Sequence, residues 1–544
     1  MHTLPKILFL LLCFEQLAAQ DKYFIQFTDK NNSPYSIDRP EEYLSSKAIE
    51  RRTNQGIELS ITDLPVNPSY ILQVVSTGAV INYSLKWING LIVTITHPVQ
   101  LETIQSFPFV LATKQVFVNN AKGSELILDD SPKLPKSAGV KGDVFNYGQS
   151  GNQVLMLNGN VLHNNGYQGQ GMTIAVLDAG FYKVDEYSSF TTLWSENRLL
   201  GVKDFVNPAS DIYTEHAHGM LVLSTIAGFI DGQLIGTAPK ADFWLVRTED
   251  GNQEQIIEEY NWAAGAEFAD SIGADIINTS LGYTTFDVET QNHSYSDLNG
   301  QTTPIAIAAG MAAKKGMIIV VSAGNEGNSS WQYISSPADA PDILAVGSVN
   351  SLCSRSDFSS VGPSSDNRIK PEIAAMGEGT VVQSTTGGIG TASGTSLSAP
   401  VITGLTACLW QANRQLTAAQ IRELILKSSS QYENPDNYMG YGLPDFASAL
   451  NSITKESTVD GKLSISPNPF SDYLDLKIPD TKYDELYIKI FSITGQLIYQ
   501  LNTFSTNGGV KISSLHSLPD GLYIVHIRNS KFSLTGKAIK KTSI

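Results

Sequence analysis

Asp178, His218, Asn325 and Ser396, met in that order along the chain, are residue types that could together perform acyl-transfer chemistry. Ser396 lies in Gly394-Thr395-Ser396-Leu397-Ser398-Ala399-Pro400, between small residues and just ahead of the apolar run Val401 to Trp410. That run reads as a buried helix, which puts the hydroxyl at a tight turn entering a helix N-terminus. Unsatisfied backbone N–H groups and the helix dipole favour a developing negative charge at such a place. A serine hydroxyl is a weak nucleophile until a neighbouring base takes its proton, and that base needs a third group to orient it. Alone, the same residues would serve equally well as a helix cap.

The partners lie upstream. His218, in Glu215-His216-Ala217-His218-Gly219-Met220, precedes the apolar run Leu221 to Ile230 and reads as the first turn of a helix. His216 is its rival, and either could be structural. Asp178 ends the apolar stretch Ala175-Val176-Leu177, where a carboxylate is costly to bury without a partner. A capping or turn aspartate would show the same pattern, and Asp185 is a weaker alternative because no apolar strand delivers it. Asn325 closes Ser322-Ala323-Gly324-Asn325 and could donate to an oxyanion or simply occupy a left-handed turn. In combination the roles are specific. Ser396 would attack a carbonyl and His218 would remove and return its proton. Asp178 would fix the imidazole tautomer, and Asn325 with the Ser396 backbone N–H would hold the oxyanion.

This set resembles the subtilisin-like serine proteases, the subtilases, in which Asp, His and Ser follow in the same order. The resemblance is carried by Asp178-Ala179-Gly180, His218-Gly219, Ser322-Ala323-Gly324-Asn325-Glu326-Gly327 and the segment from Gly394 to Pro400. It implies that Ser280-Leu281-Gly282 lines one side of a substrate pocket and pairs with substrate backbone, with Ala323-Gly324 on the other side. No cofactor is implied for the chemistry, and no metal-ligating residues are assigned. The family's tight calcium site is in doubt. Tyr187 stands where a carboxylate is expected, the loop from Ile226 to Gly236 offers only Asp231, and calcium takes about six to eight oxygen ligands. Ala179 and Met220-Leu221 also depart from the commonest family residues without removing a catalytic group.

The elements that must position these groups follow a repeating pattern over residues 146–453. The near-continuous apolar strands Met172 to Leu177, Asp242 to Val246, Ala274 to Asn278 and Gly316 to Val321 are separated by helical stretches. Such runs imply a mostly parallel sheet covered on both faces, a three-layer, doubly wound α/β catalytic domain. Functional groups in such sheets gather at the carboxyl ends of strands, where Asp178 and Asn325 fall.

Residues 20–120 read as a small α+β domain. A strand is expected at Tyr23 to Phe27, a helix within Pro40 to Gly56, and further strands or helices at Tyr70 to Val75, Trp87 to Thr96 and Phe109 to Phe117. The domain carries no catalytic constellation. It stands where subtilases carry an inhibitory propeptide, with residues 121–145 as an exposed linker holding the processing site. After a polar linker at 454–462, residues 463–544 alternate like a small all-β sandwich. They resemble the C-terminal sorting domain of the type IX secretion system through Ser464-Ile465-Ser466-Pro467-Asn468-Pro469-Phe470, Ile493-Thr494-Gly495-Gln496, Gly521 to Val525 and Gly536 to Lys541. That resemblance implies outer-membrane secretion machinery as a partner, with release or attachment at the cell surface.

Charge and composition agree with export. The net charge of −16 over 544 residues argues against nucleic acid and anionic membranes as main partners. Residues 1–19 read as a signal peptide, with Lys6 before the apolar run Ile7 to Phe14 and small residues at Ala18-Ala19. Cys353 and Cys408 then remain, too few for a disulfide framework; buried free thiols are expected, with a single bridge as the alternative. The resemblance implies a secreted serine endopeptidase made as a latent precursor, acting on protein or peptide substrates with its own propeptide as inhibitor. A serine esterase or amidase on the same triad, and an inactive surface-binding scaffold, are the competing readings.

Overall fold

The apolar runs fold into one seven-stranded sheet in which every neighbouring pair is parallel. Its strands, in spatial order, are Ile373–Met376, Leu344–Val349, Ile318–Ser322, Ile276–Thr279, Thr173–Asp178, Asp242–Arg247 and Leu199–Asp204. The first five are buried along their whole length, as a parallel sheet covered on both faces requires. Only the edge strand Leu199–Asp204 alternates with solvent. This computed structural model describes residues 20–119, 130–131, 142–456, 463–477, 485–493, 495–505, 509–529 and 533–542. The chain divides into two units, Met1–Ala447 and Ser448–Ile544.

Helices Ile257–Ile272 and Pro304–Lys314 pack together on one face of the sheet, sharing a core with Ala175, Leu177, Ile277, Ile319 and Val321. Helices His218–Ala227 and Thr395–Ala412 pack together on the other face. The strand Thr173–Asp178 is first in the chain yet central in the sheet. The next two strands in sequence lie to one side of it and the remaining four to the other. The connections therefore reverse direction at its carboxyl end, and open α/β sheets bind their ligands at such a crevice.

The N-terminal region forms a four-stranded antiparallel sheet in the order Val80–Leu85, Gly90–Ile95, Asp21–Phe27, Val110–Phe117. Its strands send alternate side chains to two different cores. Ile25, Phe27, Leu91 and Val93 pack under helices Pro68–Ser76 and Pro98–Gln105, while Phe24 and Ile92 pack against the face that holds helix Ile257–Ile272. Helix Ser46–Gln55 falls inside the expected Pro40 to Gly56 stretch, and Tyr70 to Val75 is helical. The Trp87 to Thr96 run is divided, with a turn at Trp87 and a strand only from Gly90 to Ile95. The strand Val80–Leu85 and the helix Pro98–Gln105 were not expected.

Within the 121–145 linker the structure describes Asp130–Ser131 and residues 142–145; the signal peptide at 1–19 lies outside the described residues. The backbone of Asp130–Ser131 is not free. It pairs antiparallel with Thr391–Ala392, just ahead of Ser396. The helix Phe446–Glu456 runs into the expected 454–462 linker, whose remaining residues are also outside the described set. The C-terminal unit contains a three-stranded and a four-stranded antiparallel sheet around Phe470, Leu474, Leu476, Ile488, Ile490, Val525 and Ile527. Cys353 and Cys408 are both free thiols; Cys408 is buried, but Cys353 is exposed on a loop, which corrects the expectation that both are buried. Among the described residues no helix is long and apolar enough to cross a membrane.

Candidate active site

Asp178 is the last residue of the central strand and is fully buried. His218 opens the helix His218–Ala227, and its Nδ1 lies 2.8 Å from Asp178 Oδ1. A carboxylate can only accept, so Nδ1 carries the proton and Nε2 is the basic nitrogen. The helix end reaches the strand end because residue 219 is glycine. A Cβ there would lie 2.4 Å from Gly180 O and 2.9 Å from Asp178 Cβ. Arg247 braces the same segment, donating from Nε to Ala179 O while its guanidinium pairs with Asp204 and Glu215. His216 takes a different role, its Nδ1 accepting the His218 backbone N–H at 3.2 Å. Burial alone would lower the His218 pKa, but the charge and hydrogen bond of Asp178, with a contribution from Glu249, raise it above its ordinary value.

Ser396 is the second residue of helix Thr395–Ala412, which begins well before the apolar run at Val401 and contains Pro400. A proline at that position has no N–H to give to the carbonyl four residues earlier, that of Ser396. The Ser280 hydroxyl donates to it instead, at 2.8 Å. Asn325 follows the strand Ile318–Ser322, and its Oδ1 accepts both the backbone N–H of Thr395 at 2.8 Å and the Thr395 hydroxyl at 3.0 Å. With the amide oxygen so engaged, the orientation of the side chain is set and Nδ2 is left as the free donor. Gly394 lets the two groups converge. A Cβ on it would stand 2.9 Å from Ser396 Oγ and 3.6 Å from Asn325 Nδ2.

His218, Ser280, Leu281, Gly282, Gly324, Asn325 and Ser396 all line one cavity of about 250 Å³. Ala323 sits behind it, fully buried, and does not contribute to the lining. Glu249 and Glu254 also line the cavity and were not singled out from the sequence. The usable signal was the position of Glu249, two residues beyond the strand Asp242–Arg247 that neighbours the Asp178 strand. Thr284 brings the start of the 283–303 stretch to the same rim. Tyr187 donates its hydroxyl to Thr385 O at 2.6 Å.

Residues 169–442, half of the chain, match the family model described as the subtilase family. The chain belongs to the subtilase family. Residues 22–127 match the Peptidase S8 propeptide domain of Bacteroidota, and residues 464–541 match a secretion system C-terminal sorting domain. Subtilisin NAT from Bacillus subtilis subsp. natto is 32% identical over 288 residues, which is 52% of this chain and 66% of that relative. Subtilisin from Bacillus pumilus is 31% identical over 288 residues, 52% of this chain and 92% of the relative. The match to subtilisin NAT thus spans just under two thirds of that protein. Among solved structures, MycP1 from Mycobacterium smegmatis is similar at 23% identity and a TM-score of 0.44, covering 60% of this chain and 89% of the other.

Proposed function

We propose that this subtilase is a secreted serine endopeptidase produced as a latent precursor. The observation that carries the reading is the Asp178–His218 hydrogen bond at the rim of a cavity that also holds Ser396 and Asn325. In this account His218 Nε2 takes the Ser396 proton as Oγ attacks the peptide carbonyl. Asp178 holds the tautomer and stabilises the imidazolium, and Asn325 Nδ2 with the Ser396 N–H receives the oxyanion. His218 then protonates the departing amine, and water repeats the sequence to release the acyl group. No step is assigned to a metal.

Peptides are favoured over simple esters because Ser280-Leu281-Gly282, which follows the strand Ile276–Thr279, lies along the same cavity as Ser396, where a substrate strand could pair with it. Latency rests on how firmly the N-terminal domain holds the helix face. Arg51 and Arg52 pair with buried Asp270, and both oxygens of Glu267 accept backbone N–H groups, those of Lys86 and Trp87. Export through an outer membrane, directed by residues 464–541, completes the reading.

The test is the intact mass and N-terminal sequence of secreted wild type beside Ser396→Ala. The reading predicts a wild type that starts within residues 121–145 and a mutant that keeps residues 20–120. Identical processing of both proteins would remove self-cleavage from the account.

A further inference from the structure

Glu249, Glu254 and Glu258 bring carboxylate oxygens within 4.8 Å of one another at the edge of the catalytic cavity. Glu258 is held from behind, its oxygens accepting the N–H groups of Asp250 at 2.7 Å and Gln255 at 3.3 Å. Glu249 is only 4% exposed and its Oε2 has no hydrogen-bond partner. On a different segment the Tyr283 hydroxyl is also fully buried and unpartnered. Burial first, and then the charges of Glu249, Glu258, Glu254 and Glu259, hold it above the ordinary tyrosine range.

Among the described residues no ion pair within 4.0 Å reaches any of the three glutamates; Arg247 is engaged by Asp204 and Glu215, and His293 by Glu259. Carboxylates buried this close oppose one another's ionisation. Burial first, then the Asp178 charge, push Glu249 up to about 8, and burial with mutual repulsion holds Glu254 and Glu258 well above the carboxylate range. A cation placed among them would relieve that repulsion and satisfy the open oxygen.

We propose that this trio is a specificity pocket for a lysine or arginine side chain of the peptide substrate. The inference rests on the endopeptidase reading above. A substrate strand laid along Ser280-Leu281-Gly282 passes Glu249 and Glu254 in the same cavity. Leu221 and Leu281 line it too, an apolar path for the methylene stem of a long cationic side chain. A bare calcium ion suits the trio less well, because both Glu258 oxygens already accept backbone N–H groups and calcium takes about six to eight oxygens. The 121–145 segment itself contains Lys122, Lys133, Lys136 and Lys141, so self-processing has basic residues to use.

The experiment compares kcat/KM of the secreted wild type for matched fluorogenic peptides carrying lysine or its neutral isostere norleucine at each position N-terminal to the scissile bond. Lysine should be preferred at one position by roughly 10- to 100-fold, the range that a charge-assisted contact supplies. In Glu249→Gln/Glu254→Gln that ratio should fall towards one. The wild-type ratio alone decides the matter if the double variant does not fold. Equal rates for lysine and norleucine at every position, with Ser396 still labelled by a fluorophosphonate, would overturn the pocket and leave the protease reading standing. Activity abolished by chelation and restored by calcium in the wild type, but not in the double variant, would overturn it in favour of a metal site. No cleavage and no label would overturn both.

Discussion

The Ser280 hydroxyl donates to the Ser396 carbonyl at 2.8 Å, the carbonyl that Pro400 leaves without its helical partner. The contact joins the segment that would receive substrate to the first turn that holds Ser396, the proposed nucleophile. Ser280→Ala should therefore lower kcat/KM by roughly fivefold, as expected for the loss of a hydrogen bond worth ~1 kcal/mol. Pro400→Ala restores an N–H at the right place and should recover part of the loss in the double variant. Wild-type kinetics in Ser280→Ala would show that the contact is dispensable.

Asn325 has its amide oxygen held by Thr395, which leaves Nδ2 as the donor for the proposed oxyanion site. Asn325→Ala should reduce kcat by ~10²- to 10³-fold with little change in KM, the size established for the oxyanion donor of subtilisin. Steady-state kinetics on one peptide substrate give the answer. A loss confined to KM would mean that Asn325 binds the ground state instead.

The pH profile follows from His218. In the proposed mechanism the neutral imidazole is the base, and against the effect of burial Asp178 raises the His218 pKa above 6.5. Activity should thus be complete above that raised pKa and fall as pH drops through it. Asp178→Asn removes the charge that raises it, so the acid limb of kcat/KM should move to lower pH while kcat drops steeply. An acid limb unmoved by Asp178→Asn would assign the titration to another group.

Glu267 should matter to the precursor and not to the chemistry. Its carboxylate accepts the Lys86 and Trp87 N–H groups at 2.7 and 2.8 Å, and truncation leaves both buried donors unpaired. In the Ser396→Ala precursor, Glu267→Ala should speed exchange of those two amides by roughly 10- to 100-fold, about 1–3 kcal/mol of lost protection. Unchanged protection would mean that other contacts hold this loop.

Asp178 and His218 were legible in the sequence because continuous apolar runs end at the first and begin after the second, and a parallel sheet gathers such ends at one edge. The true start of the Ser396 helix was not. Pro400 argues against a helix through that point, and the carbonyl it frees is satisfied by Ser280, far away in sequence. The glutamate trio was hidden for a similar reason. Nothing in the sequence sets Glu249, Glu254 and Glu258 apart from other acidic residues; a strand end and a helix start bring them together. The edge strand Val80–Leu85 escaped notice because its alternation is short, running only from Ile81 to Leu85, and Val80, 56% exposed, breaks it at the start.

The most direct measurement is labelling of the secreted protein with a fluorophosphonate and mapping of the adduct by peptide mass spectrometry. The account predicts one adduct, on Ser396, formed in the wild type and suppressed in His218→Ala. An adduct on another serine, or none in a protein that still hydrolyses peptides, would contradict Ser396 as the nucleophile.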